Sequence, residues 1–265
     1  MKKGKIFWIA VIAALVLAPT LAGAQQKAGS EPSFFIEGYV GGGAASNSSK
    51  FADRINTNVL ADPINLSTPG NFDPFILGGL KFGYWFTPYG TYAMNYPDWM
   101  QYFGFYTDVS YHKLSLSAQR GRFTVGGVAD MFDASSDGSV FTWAFMFAGR
   151  YGFYQDSEVP FGRLQPYLAV GPAIFFSDQN ITGRFAGTSL SPGNKTSVDL
   201  GLALETGLRY FVNKSISIEA SFKYRYFAPK YGFGGTVPGT VISYNLRSRP
   251  DFNLFSGQFG VAYHF

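Results

Sequence analysis

The last eleven residues of the chain, Phe255 to Phe265, read FSGQFGVAYHF. The odd positions carry three Phe, Val, Tyr and one Gly, whereas the even positions carry Ser, Gln, Gly, Ala and His. Successive side chains of a β-strand point to opposite faces, so this alternation indicates one oily face and one small or polar face. The segment is therefore predicted to be a β-strand.

The same period of two recurs along the chain. It is clear in Val198 to Tyr210 and in Ile216 to Tyr226, and the short link at 212–214 predicts that these two strands form a hairpin. Weaker versions occupy Ser33 to Gly43, Phe75 to Phe86, Gln101 to His112, Phe141 to Phe153 and Leu164 to Phe176. Pro166 and Pro172 weaken the last of these. The pattern predicts eight strands, an even number.

Length and composition favour a lipid environment for these strands. Each run has about 11 to 14 residues, longer than an ordinary strand of about 5 to 6 and sufficient for the ~9 to 11 residues of a bilayer crossing. The chain is 46% hydrophobic and 18% aromatic, which excludes a disordered protein. It has no Cys, which excludes a disulfide scaffold and a Cys-ligated zinc site. We predict an all-β fold, an eight-stranded antiparallel up-and-down transmembrane β-barrel.

The N-terminus has the order of a secretory signal peptide. Lys2, Lys3 and Lys5 precede the apolar run Ile6 to Ala18 and the small triplet ending at Ala24, so we expect cleavage after Ala24. Removing these 24 residues and their three Lys leaves 241 residues with 18 Lys and Arg against 17 Asp and Glu. The full chain has a formal charge of +4 and the mature chain +1, so almost all of the basic excess belongs to the export signal. The predicted organisation is a signal peptide at 1–24, a periplasmic segment at 25–32 and a barrel at 33–265.

The links between strands alternate in length. Long polar links fall at about 44–74, 113–139, 177–195 and 228–251, and shorter ones at about 87–99, 155–163 and 212–214. Long outer loops and short periplasmic turns are typical of outer-membrane barrels. A ten-stranded barrel is the alternative, with Thr236 to Tyr244 as an extra hairpin outside the membrane.

The chain resembles the small eight-stranded outer-membrane barrels of the OmpA, OmpX and opacity-protein type. The resemblance is carried by the signal peptide, the opening strand FFIEGYVGGG (Phe34 to Gly43), the segment PYLAVGPA (Pro166 to Ala173) and the terminal strand ending in Phe265. It implies a bacterial outer-membrane location and assembly by the barrel-assembly machinery, with Phe265 and Tyr263 as the assembly signal. It leaves function open, because one fold hosts many functions.

The predicted inward faces carry ten charges, five of each sign. They are Glu37, Asp108, Asp199, Glu205 and Glu219 with Lys81, Arg150, Arg209, Lys223 and Arg225. A hairpin centred on Asn213 would place Arg209 diagonal to Glu219 and Glu205 diagonal to Lys223. Because an isolated buried charge is costly, we predict an ion-pair network that closes the lumen. Charges that merely hydrate a wet interior are the alternative.

Aromatic residues cluster where the strands approach the periplasmic turns, and they predict an aromatic girdle at the headgroup boundary. The predicted girdle comprises Tyr84, Trp85, Phe86, Tyr89, Tyr92, Tyr96, Trp99, Tyr102, Tyr151, Phe153, Tyr154, Tyr210, Phe211, Tyr263 and Phe265. A nucleic-acid stacking platform would need a basic groove that a mature charge of +1 does not suggest.

Catalysis is weakly indicated. Asp108, Ser110 and His112 share one face of one strand, but residues two apart in a strand are ~6.6 Å apart at Cα, too far for a nucleophile and its base to touch. We expect no enzyme activity, cofactor or metal.

The expected role is structural or surface-interacting, in a monomer that contacts outer-membrane lipids, lipopolysaccharide and the assembly machinery but no nucleic acid. The alternatives are a narrow channel for small or apolar solutes, in the manner of OmpW-like barrels, and a lipid A-modifying enzyme. The basic side chains of the outer links either contact the phosphates of lipopolysaccharide or are solvated by water. They are Lys113, Arg120, Arg122, Arg184, Lys195, Lys230, Arg247 and Arg249.

Overall fold

A computed structural model of the chain describes residues 33–46, 54–60, 62–87, 96–185, 188–191, 193–237 and 239–265. The expected signal peptide and periplasmic segment lie outside the described residues. Within the described ranges, the structure has no helix with the length and hydrophobicity needed to cross a membrane.

Eight antiparallel strands form a closed barrel. They are β1 (Phe34–Ala45), β4 (Phe75–Trp85), β5 (Phe103–Lys113), β7 (Val128–Arg150), β8 (Leu164–Phe185), β10 (Asn194–Asn213), β11 (Ile216–Phe227) and β14 (Phe252–His264). Each pairs with the next in this order, and β1 pairs with β14 to close the wall. The predicted eight-stranded barrel is confirmed.

The first residues of β1 and the last residues of β14 lie at the same end of the barrel. We call this the terminal end. A 3-10 helix over Asp98–Tyr102 precedes β5 at this end. The opposite end is extended by a crown, which consists of six short strands and the outer parts of β7 (128–139), β8 (177–185) and β10 (194–201). The short strands are β2 (Arg54–Thr57), β3 (Ile64–Ser67), β6 (Leu116–Val125), β9 (Thr188–Leu190), β12 (Tyr231–Thr236) and β13 (Ser243–Ser248).

The crown corrects the prediction that the long links are loops. β7 has 23 residues and β8 has 22, so both run well beyond the predicted Phe141 and Phe176. β6, β3, β2, β13 and β12 continue outward from β7 as one sheet. Its apolar inner face supplies the reason, because residues such as Ile55, Leu66 and Leu246 are buried together there. The extra hairpin is β12 and β13, and the predicted Thr236 to Tyr244 stretch covers mainly its turn.

The two faces of the barrel wall differ in the expected way. Large apolar side chains point outward and are exposed, with Ile76 at 84%, Leu200 at 76% and Phe259 at 73%. Charged side chains point inward and are buried, with Glu37 at 0% and Glu205 at 1%. A protein folded in water has the opposite arrangement.

Glycine allows close packing where β8 passes β7. A Cβ added at Gly171 would lie 1.8 Å from the carbonyl oxygen of Phe145, whereas one added at Gly257 would have no heavy atom within 4 Å.

We predict that Gly171→Ala lowers the free energy of unfolding by about 1 to 3 kcal/mol, because the backbone must shift to accept the methyl group. Gly257→Ala is the matched control, and we expect it to change stability by less than about 0.5 kcal/mol. Urea unfolding of the purified protein in lipid or detergent measures both. Equal effects of the two variants would contradict this account of β7 and β8.

Candidate functional site in the barrel lumen

The centre of the lumen is filled by an ionic layer. Its hub is Lys81, whose Nζ lies 2.8 Å from Oε1 of Glu37, 2.7 Å from Oε1 of Glu205 and 2.5 Å from Oε1 of Glu219. These side chains come from four strands, β4, β1, β10 and β11, so the contacts cross the lumen.

Two further cations complete the layer. Arg209 lies 3.0 Å from Glu37 and 2.7 Å from Glu219, through Nη2 and the carboxylate Oε2 atoms. Lys223 pairs with Asp108 and lies 3.1 Å from Oε2 of Glu205. The ionic layer is thus Glu37, Lys81, Asp108, Glu205, Arg209, Glu219 and Lys223.

Three tyrosines bond to the carboxylates of this layer. The Tyr39 hydroxyl donates to Asp108 Oδ1 at 2.6 Å, and Tyr106 donates to Glu205 Oε2 at 2.8 Å. Tyr167 donates toward Glu205 and Glu219, at 2.7 and 2.5 Å. Buried charge is tolerated when its lone pairs and protons are satisfied in this way. The alternation of the sequence predicts these tyrosines on the inward face but does not reveal their partners.

The register that builds the layer differs from the predicted one. Arg209 lies directly opposite Glu219, and Glu205 lies directly opposite Lys223, not diagonally. The cause is local to the turn, where a register shift lies between Phe211 and Asn213 and the Asn213 side chain accepts the backbone N–H of Ser215 and Ile216. Direct opposition brings the paired side chains closer than the diagonal arrangement would.

Three of the ten predicted lumen charges, Arg150, Arg225 and Asp199, lie outside the ionic layer. Arg150 is buried near the terminal end, with Nη1 donating to Gln165 at 2.9 Å. Arg225 is buried beyond the ionic layer, and its two Nη atoms have no hydrogen-bond partner among the described residues. Asp199 lies at the crown end with one buried, unbonded carboxylate oxygen within the same described ranges.

Buried aromatic rings cluster inside the barrel near the terminal end. The guanidinium of Arg150 stacks between Trp85 and Phe161, with centroids 4.3 and 4.2 Å away, and that of Arg209 lies 4.5 Å from the centroid of Phe35. Such contacts stabilise a cation that has left water. Phe211 is buried at the same end. We call the group of Phe35, Trp85, Phe161, Phe211 and Arg150 the aromatic plug.

The turn at 151–163 supplies part of the aromatic plug, because Phe161 and the adjoining Val159 are buried. Asp156 holds this turn: its carboxylate accepts the backbone N–H of Val159 at 2.7 Å and that of Glu158 at 2.9 Å, and it pairs with Arg163. The backbone bond from Val159 and the Arg163 side chain lower the pKa of Asp156.

An apolar core lies inside the barrel at the crown end. Phe175 stacks on Phe227 with centroids 4.3 Å apart, Phe227 contacts Phe252 at 5.0 Å, and Phe252 contacts Phe72 at 5.0 Å. Leu114, Val140 and Phe233 are fully buried in the same cluster. In the sequence, the period of two continues in β7 and β8 beyond the predicted strand ends. This continuation is the sequence feature that indicates the core.

In the described part of the chain, the Asp108, Ser110 and His112 side chains are not hydrogen-bonded to one another. Ser110 Oγ and both ring nitrogens of His112 have no hydrogen-bond partner among the described residues. Asp108 bonds instead to Tyr39 and Lys223.

Several aromatic residues face outward near the terminal end. Trp99, Tyr151, Phe153, Tyr154, Tyr210 and Tyr263 are exposed, and Tyr84, Phe86 and Phe265 are half-buried. Tyr96 is half-buried and Tyr102 is exposed near this end, whereas Tyr89 and Tyr92 lie outside the described residues. Trp85 and Phe211 were wrongly included in the girdle: both point inward, because each neighbours an outward residue in its strand.

Phe265 lies where the barrel closes. Its backbone exchanges two hydrogen bonds with Phe34, and its ring lies 6.0 Å from Phe34 and 6.2 Å from Tyr263.

No protein-family model and no curated protein matches the chain. Among solved structures it is similar to Neisserial surface protein A (NspA), at 13% identity over 88% of this chain and 97% of that chain, with a TM-score of 0.48. It is also similar to the outer membrane protein OprG from Pseudomonas aeruginosa, at 17% identity, 89% and 98% coverage and a TM-score of 0.42. A third is Ail, the attachment invasion locus protein of Yersinia pestis, at 14% identity, 89% and 99% coverage and a TM-score of 0.35.

We predict that Lys81→Met lowers the free energy of unfolding by about 3 to 5 kcal/mol, because it leaves three converging carboxylates without their shared cation. Arg120→Met is the control: Arg120 is exposed and lies 3.8 Å from Asp133, so we expect a loss of at most about 1 kcal/mol. Urea titrations of both variants measure the difference. A Lys81→Met protein as stable as the Arg120→Met protein would show that the ionic layer does not stabilise the barrel.

Proposed function

We propose that this protein is an integral outer-membrane β-barrel with a structural or surface-interaction role and a closed lumen. The observation that carries the proposal is the inversion of the wall, with apolar side chains exposed outside and charges buried inside. A continuous apolar exterior of this kind is stable only against lipid or detergent. Because no water is available to edge strands in lipid, closure of β1 on β14 fits the same environment.

The closed lumen is supported by three successive layers. The aromatic plug lies at the terminal end, the ionic layer lies at the centre, and the apolar core of the crown lies beyond them. Every member of the ionic layer has an exposed fraction of 3% or less. A pore needs a hydrated path past such groups, and their low exposed fractions support a closed lumen.

The orientation follows from the fold of this class. The terminal end faces the periplasm, where exported chains enter, and the crown faces outward. The exposed aromatic rings at the terminal end then lie at the inner headgroup boundary and form the girdle. Phe265 and Tyr263 face outward at the closing seam, which suits a signal read by the barrel-assembly machinery. The partners are outer-membrane lipids and lipopolysaccharide, and the protein acts as a monomer without enzyme activity.

A narrow channel for apolar solutes is the second candidate, and one feature favours it. The crown wall has a seam: within the described residues, residues 194–201 of β10 pair only with β8, and β12 pairs only with β13. A side opening at this seam would release a solute close to the outer leaflet. Uptake of an apolar solute into proteoliposomes, absent from protein-free vesicles, would favour this candidate.

We predict that the wild-type protein in planar bilayers shows no steady conductance of porin size, because the ionic layer and both end layers exclude a continuous water column. A porin reconstituted under the same conditions is the positive control. A large and reproducible open channel would contradict the closed lumen.

We predict that Ser110→Ala and His112→Ala leave the lipid A of the host cell unchanged in mass, because neither side chain is bonded to a catalytic partner. Mass spectrometry of lipid A from cells that express each variant, the wild type or no protein measures this. A modification that the wild type adds and either variant abolishes would reveal an enzyme.

A further inference from the structure

Four neighbouring strands of the crown, β13, β2, β3 and β6, carry polar and basic side chains on their outward side. Their inward residues, such as Leu246, Ile55 and Leu66, belong to the buried core. Their outward residues are Ser243, Asn245, Arg247, Arg54, Asn56, Asn65, Ser67, Arg120, Arg122 and Thr124. We call these ten outward residues the arginine face.

The arginine face contains no carboxylate, although soluble surfaces usually intersperse both signs. Arg54 lies directly opposite Arg247, and like charges in this position destabilise a sheet. Arg54 also lies opposite Asn65, and Arg122 lies opposite Ser67. The register thus gathers three guanidinium groups with amide and hydroxyl donors.

These three arginines are not neutralised by the protein in its described part. Arg54, Arg122 and Arg247 are exposed there, with no ion pair or side-chain hydrogen bond. The fourth arginine of the face, Arg120, lies 3.8 Å from the exposed Asp133 of β7. As far as the described residues go, three guanidinium groups are therefore available to an external anion.

The donor set fits phosphate. A guanidinium presents two parallel N–H groups that match two oxygens of a phosphate, and amide and hydroxyl groups donate to the remaining oxygens. A site with several such donors and no acceptor carboxylate selects a multiply charged anion.

Height above the apolar belt indicates which phosphates are within reach. Arg122 pairs with Met131, ten residues along β7 from the outward Phe141. At about 3.3 Å per residue and a strand tilt near 40°, that separation is roughly 25 Å along the barrel axis. The face therefore lies above the lipid headgroups. It is also part of a wall, so it points sideways, toward molecules standing in the same leaflet.

We propose that the arginine face binds phosphate groups carried on the sugar part of lipopolysaccharide. The inference rests on the outer-membrane location proposed above and identifies which surface meets that lipid. Binding clamps neighbouring lipopolysaccharide molecules against the crown and relieves the repulsion between Arg54 and Arg247.

The test compares the triple variant Arg54→Gln, Arg122→Gln and Arg247→Gln with a control that loses the same charge elsewhere on the crown end, Lys113→Gln, Lys195→Gln and Lys230→Gln. Purified, folded proteins in detergent are titrated with lipopolysaccharide bearing a phosphorylated core. We expect the face variant to bind at least about tenfold more weakly than the wild type and the control to bind within about twofold of it. Lipopolysaccharide lacking the core phosphates should bind the wild type and the face variant equally.

Three results would overturn the proposal. The first is an equal loss of lipopolysaccharide affinity in both triple variants, and the second is a loss in the face variant that persists when the lipopolysaccharide core has no phosphate. The third is a wild type that binds heparin but not lipopolysaccharide. The single variant Arg54→Gln, with a smaller loss expected in the same direction, serves if the triple variant does not fold. A shift in gel migration between unheated and heated samples shows, independently of binding, whether each protein is folded. An unfolded or inner-membrane wild type would defeat the proposed location, whereas a folded outer-membrane barrel without the selective loss would defeat only this site.

Discussion

The constraint on which the structure depends is that an eight-stranded barrel has too little interior for bulk water, yet this one places seven charged side chains at its centre. Desolvating even one of them alone would cost several kcal/mol. Each must therefore contact an opposite charge at short range, and Lys81 meets this requirement three times. Because the partners lie on different strands, satisfying the charges also fixes how those strands face one another across the lumen.

The layers on either side follow from the same constraint. Water entering from an end would weaken the ion pairs by screening them. The aromatic plug and the apolar core of the crown lie on either side of the ionic layer, and both consist of large buried rings. The crown extends the wall far enough for the apolar core to form, which accounts for the length of β7 and β8. Arg225, buried between the ionic layer and that core, shows that the separation of layers is not complete.

The sequence predicts which side chains of the barrel wall face inward and which face outward, because this depends only on the alternation of residues along each strand. Alternation alone placed Glu37, Lys81 and Glu205 inside and Ile76 and Leu200 outside, as the structure has them. It failed where the answer depends on contacts between distant segments. The crown sheet joins β2, β3, β6 and β13. The four residues of β2 contain no pattern that predicts its pairing with β13, some 190 residues away.

Two other failures had a visible cause. Trp85 and Phe211 were placed in the girdle by composition, although each is adjacent to an outward residue and so had to point inward. The hairpin register was displaced because the Asn213 side chain closes the turn later than a symmetric loop around Asn213 would. Neither contact partners nor ring stacking in the lumen is encoded in the period of two.

The central claim, that opposed charges in the lumen stabilise one another, is tested most directly by a double-mutant cycle on Glu205 and Lys223, which face each other at 3.1 Å across β10 and β11. The free energies of unfolding of Glu205→Gln, Lys223→Met and the double variant give the coupling between the two side chains. The account predicts a favourable coupling of at least about 1 kcal/mol. A coupling near zero would contradict it, because the charges would then be stabilised independently, by water or by other groups.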